Sequence, residues 1–257
     1  MILFSAGLLL FASLPVERAI EREVPHSDVS YLLVDARTRE TVASRWPNAA
    51  RPISLGSLVK PFVALAALEA GVVPAKLTCG GDAERCWLPK GHGTLTLDRA
   101  IAHSCNAAFL KLAARVPAAD LERVCSRFAL VFPGDNSADT RIGLGGNWKI
   151  APTALAAAYL ELLARKLDPG VPLLLEGLRG AAREGTARAL NSSALAKTGT
   201  APCASVDHRH AGDGFTVALF PPESPRYLLL VRVHGVPGAQ SAKAAGRIAK
   251  LVLNESK

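Results

Sequence analysis

The order of strand-like and helix-like segments along the chain is the feature that most constrains its fold. Near the N-terminus, VSYLLVD (Val29–Asp35) and ETVAS (Glu40–Ser44) flank a polar turn and predict a strand pair. Towards the C-terminus, three β-type runs separated by Gly/Pro turns precede an amphipathic helix over residues 241–253; the runs cover residues 194–200, 215–220 and 227–234. The stretch between is mostly helical, so the two ends most economically supply one sheet.

This order predicts an α/β (α+β) protein in which an antiparallel sheet built from both chain ends is flanked by helices. We place the α/β lobe at residues 23–60 and 191–257, and an inserted, mostly helical lobe at residues 61–190. Helices are expected at 57–70, 97–116, 119–128, 152–165 and 185–190. Pro61 is tolerated only in a first helical turn, so the first of these helices should begin at about Leu58.

An apolar run from Ile2 to Val16 opens the sequence and is followed at once by charged residues. It is shorter than the roughly 20 apolar residues of a transmembrane helix, but it suits the hydrophobic region of a signal peptide. No Lys or Arg precedes it, so an upstream start and an uncleaved anchor stay open. We predict a signal peptide or membrane-proximal segment over residues 1–22, a single domain over residues 23–257, and export. The alternative is a buried first helix or strand.

The net charge of +8 over 257 residues is compatible with two kinds of partner, nucleic acid or an anionic envelope. Aromatic residues are only 5% of the chain, and no short window concentrates Lys and Arg. The sequence therefore offers little for stacking on nucleic-acid bases. Composition alone leaves the choice open.

Cysteine spacing predicts one disulfide and no metal site. Cys79 and Cys86 bracket a short polar stretch that reads as a loop, and in an exported protein they are the natural pair. The chain has five cysteines, so at least one must stay unpaired. No C-x-x-C occurs, and no Cys/His spacing resembles a zinc site.

Ser57 and Lys60 lie three residues apart at the start of the first predicted helix. That spacing puts both side chains on one helix face. A serine hydroxyl is a weak nucleophile until a base takes its proton, and a lysine kept neutral in a dry site can do so. Taken alone, a serine cap followed by a surface lysine is the more common explanation of this spacing.

Two further polar segments carry possible chemistry. In Ser104-Cys105-Asn106, a hydroxyl and a carboxamide two residues apart cannot share a helix face, so a turn or helix end must present both. In Lys197-Thr198-Gly199-Thr200, on the first of the late strands, the glycine permits close approach of another backbone, such as a peptide substrate. Alone, each segment also fits a polar helix end or a solvated strand end.

The conjunction of Ser-x-x-Lys, Ser-x-Asn and Lys-Thr-Gly, each occurring once and in this order, is specific. It resembles the transpeptidase domain of the penicillin-binding proteins, within the superfamily of serine β-lactamases and D,D-peptidases. GSLVKPF at residues 56–62, GHG at 91–93, GLG at 143–145 and GTA at 185–187 are similar to the family in kind. The resemblance runs from about Val29 to Lys250 and implies an unusually short member.

The resemblance implies a role for each motif residue. Ser57 would be acylated by a D-alanyl-D-alanine stem peptide of peptidoglycan, with Lys60 as its general base. Ser104 would help pass the proton to the leaving D-alanine, and Lys197 would supply a positive field. Substrate would be bound by Asn106, Thr198, Gly199 and Thr200, and the amides of Ser57 and Thr200 would form the oxyanion hole. No metal or organic cofactor is required.

The resemblance also favours the envelope over nucleic acid: the periplasm or the outer face of the cytoplasmic membrane. It implies β-lactams as covalent inhibitors and leaves several fates of the acyl-enzyme open. These are D,D-transpeptidation, D,D-carboxypeptidation, hydrolysis as in a serine β-lactamase, and a non-catalytic sensor of β-lactam or peptidoglycan. Only 93 positions separate Ser104 from Lys197, which is short for the family. A protein that works with a partner in cell-wall synthesis therefore fits the resemblance as well as an autonomous cross-linker does.

Overall fold

The computed structural model describes residues 16–24, 28–202 and 212–255. Within these ranges, the strands are β1 (Val29–Asp35), β2 (Thr41–Arg45), β3 (Ile53–Ser54), β4 (Leu77–Cys79), β5 (Gly93–Leu95), β6 (Lys149–Ile150), β7 (Leu195–Ala201), β8 (Asp213–Phe220) and β9 (Tyr227–Val233). The helices are α1 (residues 16–23), α2 (Lys60–Glu69), α3 (Leu97–Ala102), α4 (Asn106–Ala113), α5 (Ala118–Arg127), α6 (Ala138–Arg141), α7 (Pro152–Ala164), α8 (Val171–Arg183) and α9 (Gly238–Glu255).

The main sheet takes its five strands from both ends of the chain, as the order of segments predicts. Its strand order is β2-β1-β9-β8-β7, and every neighbouring pair is antiparallel. Between β1 and β9, for example, Val29 pairs with Val233 and Asp35 with Tyr227. The mixed α/β architecture and the antiparallel sheet are thus confirmed, and β7 forms one edge of the sheet.

The period-2 alternation of the strands divides the apolar residues between two cores. Leu32 and Val34 of β1 face the larger core, which contains the buried side of α2. Tyr31 and Leu33 face the second core, which contains α9 and residues of α1. Both faces of the sheet are therefore covered by helices, and this is why β8 is buried along its whole length.

The central helices differ from the prediction at two places. The expected helix over residues 97–116 is broken into α3 and α4 by a turn at residues 103–105. The expected helix at 185–190 is only a 3₁₀ turn (Arg188–Leu190), whereas α8 was missed. Helix α8 contains Pro172, Gly177 and Gly180, residue types that weaken a helix prediction from sequence. In the structure the proline lies in the first turn, and a Cβ on Gly177 would lie 2.7 Å from the Cβ of Ile101, so the glycine permits close packing on α3.

The N-terminal helix α1 belongs to the folded unit. Ile20 is fully buried in the second core, and Glu21 accepts a hydrogen bond from the Tyr31 hydroxyl at 3.1 Å. The folded part therefore includes residues that the sequence assigned to the signal or membrane-proximal segment, whereas the apolar run up to residue 15 lies outside the described residues. Within residues 16–24, 28–202 and 212–255, no helix has both the length and the apolar character needed to cross a membrane.

Candidate active site

Ser57 lies on a 3₁₀ turn (Gly56–Val59) that leads directly into α2, whose first residue is Lys60. Residues three apart on a 3₁₀ turn eclipse one another, so the two side chains lie on the same side. Pro61 falls in the first turn of α2 as predicted, although the α-helix begins two residues later than Leu58. The Tyr159 hydroxyl donates a hydrogen bond to the Leu58 carbonyl at 2.8 Å and anchors the turn.

Two glycines bring this turn into backbone contact with strand β7. Gly56 has a φ of +59°, and a Cβ there would lie 2.2 Å from the Thr200 carbonyl oxygen and 2.9 Å from its nitrogen. A Cβ on Gly199 would lie 2.4 Å from the Leu55 carbonyl oxygen. Gly199 therefore permits close approach of another backbone, but on this face of β7 that backbone is the segment of this chain that leads into the Ser57 turn. The contact places Ser57 beside Thr200.

Ser104 lies in the turn between α3 and α4 and Asn106 begins α4, so a turn and a helix end present the two side chains, as the sequence predicts. Ser104 has a φ of +50°, and Asn106 is the first residue of α4. Lys60 Nζ donates to the Ser104 carbonyl oxygen at 3.0 Å and to Asn106 Oδ1 at 2.6 Å. Lys60 thus joins the first motif to both polar residues of the second.

Lys197 joins the third motif to the second. Its Nζ donates to Ser104 Oγ at 2.7 Å and to the Thr198 carbonyl oxygen at 2.8 Å. The Thr198 hydroxyl donates in turn to Thr186 Oγ1 at 2.6 Å. The structure therefore brings together all three segments that the sequence singled out.

These segments line one cleft of about 190 Å³ beside the edge strand β7. Residues of the three motifs contribute to its wall, as do several that sequence reasoning did not place there. The added residues are Trp87, Leu144, Thr186, Pro237, Gly238 and Ala239. Thr186 could have been found from its GTA segment. Leu144 could likewise have been found from its GLG segment. Trp87 and residues 237–239 carry no such signal in the sequence and reach the cleft only through the fold.

Both lysines of the site are fully buried, and neither has an ion-pair partner among the described residues. Burial lowers the pKa of Lys60 to about 7, with small opposing effects from Cys105 and Cys86. Burial and the nearby charge of Lys60 lower the pKa of Lys197 well below its ordinary value. Near neutral pH the arrangement can thus supply a neutral amine, which is able to accept a proton from a neighbouring hydroxyl.

The predicted Cys79–Cys86 disulfide is not formed. Both thiols are free and buried, and the two sulfur atoms face the same ring nitrogen, His92 Nδ1, at 3.5 Å each. Cys105 Sγ lies 3.8 Å from that of Cys86. The two cysteines do flank a loop, as predicted. The fold also brings His92 and Cys105 next to them, which their spacing in the sequence did not indicate. Cys203 lies outside the described residues.

A family comparison agrees with this geometry. The sequence model described as penicillin binding protein transpeptidase domain matches residues 29–169, more than half of the chain. The chain belongs to this family of transpeptidase domains. No curated protein matches the sequence.

Solved structures of transpeptidase domains have the same fold. The transpeptidase domain of Burkholderia pseudomallei penicillin-binding protein 3 superimposes with a TM-score of 0.74 at 18% identity, covering 97% of this chain and 94% of that one. Penicillin-binding protein 2 of Helicobacter pylori, in complex with MreC, gives 0.77 at 16% identity, covering 95% and 62%. Penicillin-binding protein 3 of Mycobacterium tuberculosis, complexed with aztreonam, gives 0.70 at 18%, covering 96% and 77%.

Proposed function

We propose that this protein is an exported, penicillin-binding D,D-transpeptidase that cross-links peptidoglycan through an acyl-enzyme on Ser57. The observation that carries the proposal is the complete burial of Lys60 one turn from Ser57, which lowers the lysine pKa to about 7. Ser57 itself lines a cleft together with residues of the other two motifs. A buried amine without a counter-ion is costly to protonate, and this is the property a general base for serine needs.

In the first step, Ser57 Oγ bonds to the carbonyl carbon of the penultimate D-alanine while its proton passes to Lys60. A neutral amine has two N–H groups and one lone pair. The two N–H groups are occupied by the Ser104 carbonyl and Asn106 Oδ1. The lone pair is then left for the Ser57 hydroxyl. Asn106 would fix the base as well as hold an amide of the substrate.

Collapse of the tetrahedral intermediate breaks the C–N bond to the terminal D-alanine, whose amine needs a proton. Ser104 Oγ supplies it and is reprotonated from Lys60. Lys197 orients the Ser104 hydroxyl through its 2.7 Å contact and, whenever it carries a proton, adds positive field. An acceptor amine from a neighbouring stem peptide then attacks the ester, forms the new amide and returns the proton to Ser57.

Two groups of donors would stabilise charge on the substrate. The amides of Ser57 and Thr200 serve as the oxyanion hole, because the Gly56 contact sets the turn against β7. The hydroxyls of Thr198 and Thr200 bind the terminal carboxylate, and Gly199 between them lines the substrate cleft. The Thr200 hydroxyl is itself oriented by the Gly238 amide, which donates to it at 2.9 Å.

The proposed function also includes export of the protein and association with a cell-wall protein partner. The substrate lies outside the cytoplasm, and the apolar N-terminal run suits a signal or an anchor that would hold the domain at the membrane. A β-lactam complex and a complex with MreC among the structural relatives support β-lactam binding and a cell-wall protein partner here.

Labelling with a fluorescent penicillin tests the nucleophile. The wild type should be labelled covalently at Ser57, as peptide mass mapping would show, and Ser57→Ala should not be labelled. Ser54→Ala is the matched control, because it removes a nearby buried hydroxyl that has no hydrogen-bond partner among the described residues. Equal labelling of Ser57→Ala and wild type would refute the assignment.

Turnover separates transpeptidation from the other fates of the acyl-enzyme. A D-alanyl-D-alanine stem peptide should release D-alanine, and a primary amine acceptor should increase an amide product at the expense of the hydrolysed peptide. Release of D-alanine to water alone would indicate a D,D-carboxypeptidase. Rapid hydrolysis of the penicillin would indicate a β-lactamase, and a stable adduct with no peptide turnover would indicate a sensor.

A further inference from the structure

Four potential metal ligands converge behind the active-site turn, and the proposed reaction uses none of them. They are Cys79 at the end of β4, Cys86 after a 3₁₀ turn, His92 just before β5, and Cys105 at the N-terminus of α4. The ligand atoms of all four lie within 4.8 Å of one another. Cys79, Cys86 and Cys105 are at most 5% exposed.

Three of the six distances between these atoms match the edges of a tetrahedral zinc site, and all six are at most 4.8 Å. Bonds of about 2.3 Å from zinc to sulfur and about 2.0–2.1 Å to nitrogen place sulfur pairs about 3.8 Å apart and nitrogen–sulfur pairs about 3.5 Å apart. The observed separations are 3.8 Å between the sulfurs of Cys86 and Cys105, and 3.5 Å from His92 Nδ1 to each of Cys79 and Cys86.

We propose that Cys79, Cys86, His92 and Cys105 bind one structural zinc ion. Three thiolates and one imidazole form a complete tetrahedral set, which is typical of closed structural zinc sites and leaves no position for substrate. Binding displaces three thiol protons to solvent and leaves the His92 ring neutral. A disulfide between Cys79 and Cys86 would account for only two of the four ligands.

The contacts of the individual ligands fit this role. Cys105 Sγ already acts as an acceptor, since the Ala108 amide donates to it at 3.5 Å. Cys79 pairs with Gly93 across β4 and β5, so the sheet register holds His92 next to Cys79. His92 Nε2 is buried with no hydrogen-bond partner among the described residues. A bond from Nδ1 to zinc would leave the ring proton on Nε2, so the assignment of His92 rests on its Nδ1 distances and not on this atom.

The location gives the ion a structural consequence. The 79–92 loop is long and has few strand residues of its own, and zinc would join it to the N-terminus of α4. Cys105 lies between Ser104 and Asn106, so its bond to zinc would hold the turn that carries both residues. This consequence rests on the proposed function, whereas the binding of zinc does not.

Metal analysis of the purified full chain, made with a histidine-free tag, is the direct test. We expect one zinc per chain by elemental mass spectrometry. After exchange into Co²⁺, we expect the intense visible absorption and the thiolate charge-transfer bands of a tetrahedral cobalt–thiolate centre. Failure to bind stoichiometric zinc after reduction and anaerobic addition of Zn²⁺ would overturn the proposal, as would a weak six-coordinate cobalt spectrum.

Variants separate ligation from general instability. His92→Ala should lose zinc or bind it at least about 10-fold more weakly, while His92→Cys should retain it, because a fourth thiolate completes a Cys₄ site. Cys125→Ala is the matched control: it removes a buried thiol outside the cluster and should keep full zinc content. Equal zinc in His92→Ala and wild type would contradict the ligand assignment.

Alkylation tests the competing disulfide. Intact mass after alkylation of the denatured, unreduced protein should show Cys79 and Cys86 both modified once zinc is removed. Recovery of a Cys79–Cys86 disulfide from protein purified under non-oxidising conditions would contradict the proposal. Zinc content, cobalt spectra and thiol reactivity are independent of penicillin labelling, so failure of the proposed function would leave each of these results intact.

Discussion

Lys197 Nζ lies 2.7 Å from Ser104 Oγ, although 93 residues separate the two in sequence. One comes from an edge strand of the sheet and the other from a turn between two helices of the inserted lobe. Lys60 completes the connection, because it donates to the carbonyl of the same serine. A single residue, Ser104, therefore contacts both buried lysines across the cleft.

We predict that Ser104 and Lys197 act as a unit in acylation. Ser104→Ala and Lys197→Met should each lower the second-order rate constant for penicillin acylation, by roughly 10²–10⁴-fold. The double variant should be no more than about tenfold slower than the slower single variant, because either change already breaks the contact. Stopped-flow acylation of the three variants measures this, with thermal unfolding to verify that each is folded. Rate losses that multiply would show that the two residues act independently.

We predict that the acylation rate rises with pH through a midpoint near 7, the pKa to which burial lowers Lys60. The amine must be neutral to accept the Ser57 proton, so the rate should fall below this pH, where Lys60 is protonated, and reach a plateau above it. Acylation measured from about pH 5 to about pH 9 tests this, since an ordinary lysine, with a pKa of about 10.4, would show no plateau in that range.

Lys60→Met is the control for the pH profile. It keeps an unbranched side chain in the buried site but removes the base, so the acylation rate should fall by roughly 10²–10⁴-fold and lose its rise near neutral pH. If Lys60→Met retains the same pH dependence as the wild type, another group is responsible for it.

We predict that Gly56→Ala destabilises the protein by more than about 2 kcal/mol. The left-handed backbone at φ +59° costs an alanine about 1–2 kcal/mol, and its Cβ would overlap the Thr200 carbonyl oxygen at 2.2 Å. Urea unfolding measures the change in the free energy of unfolding. Gly134→Ala is the control, because a Cβ there meets nothing within 4 Å and the backbone does not have a positive φ. Equal stability of the two variants would contradict the proposed packing of the turn on β7.

The strand and helix order could be predicted from the sequence because hydrophobic periodicity, proline position and turn residues indicate the same elements. In β1, apolar residues point to both faces, Leu32 and Val34 to one and Tyr31 and Leu33 to the other, which agrees with a sheet flanked by helices. Pro61 in the first turn of α2 was predictable from proline's fixed φ and missing N–H. The spacing of Ser104 and Asn106 indicated that a turn or helix end presents both, but the periodicity still predicted one helix over residues 97–116, which the structure breaks.

Helix α8 shows where local pattern fails. Gly177 and Gly180 weaken its intrinsic helix propensity, and only the contact with α3 explains why glycine is present. Packing between two helices from distant parts of the chain outweighs the local cost, and a sequence window contains only one of the two helices.

The sequence by itself determined the strand and helix order and the three motifs, since periodicity and residue type act over a few neighbouring positions. Only the tertiary structure decided the chemistry of those residues. It buried Lys60 and so lowered its pKa, and it set β7 against the Ser57 turn. It also gathered Cys79, Cys86, His92 and Cys105 into one cluster in place of the predicted disulfide. Desolvation and ligand geometry depend on which distant segments meet, and that is fixed by packing.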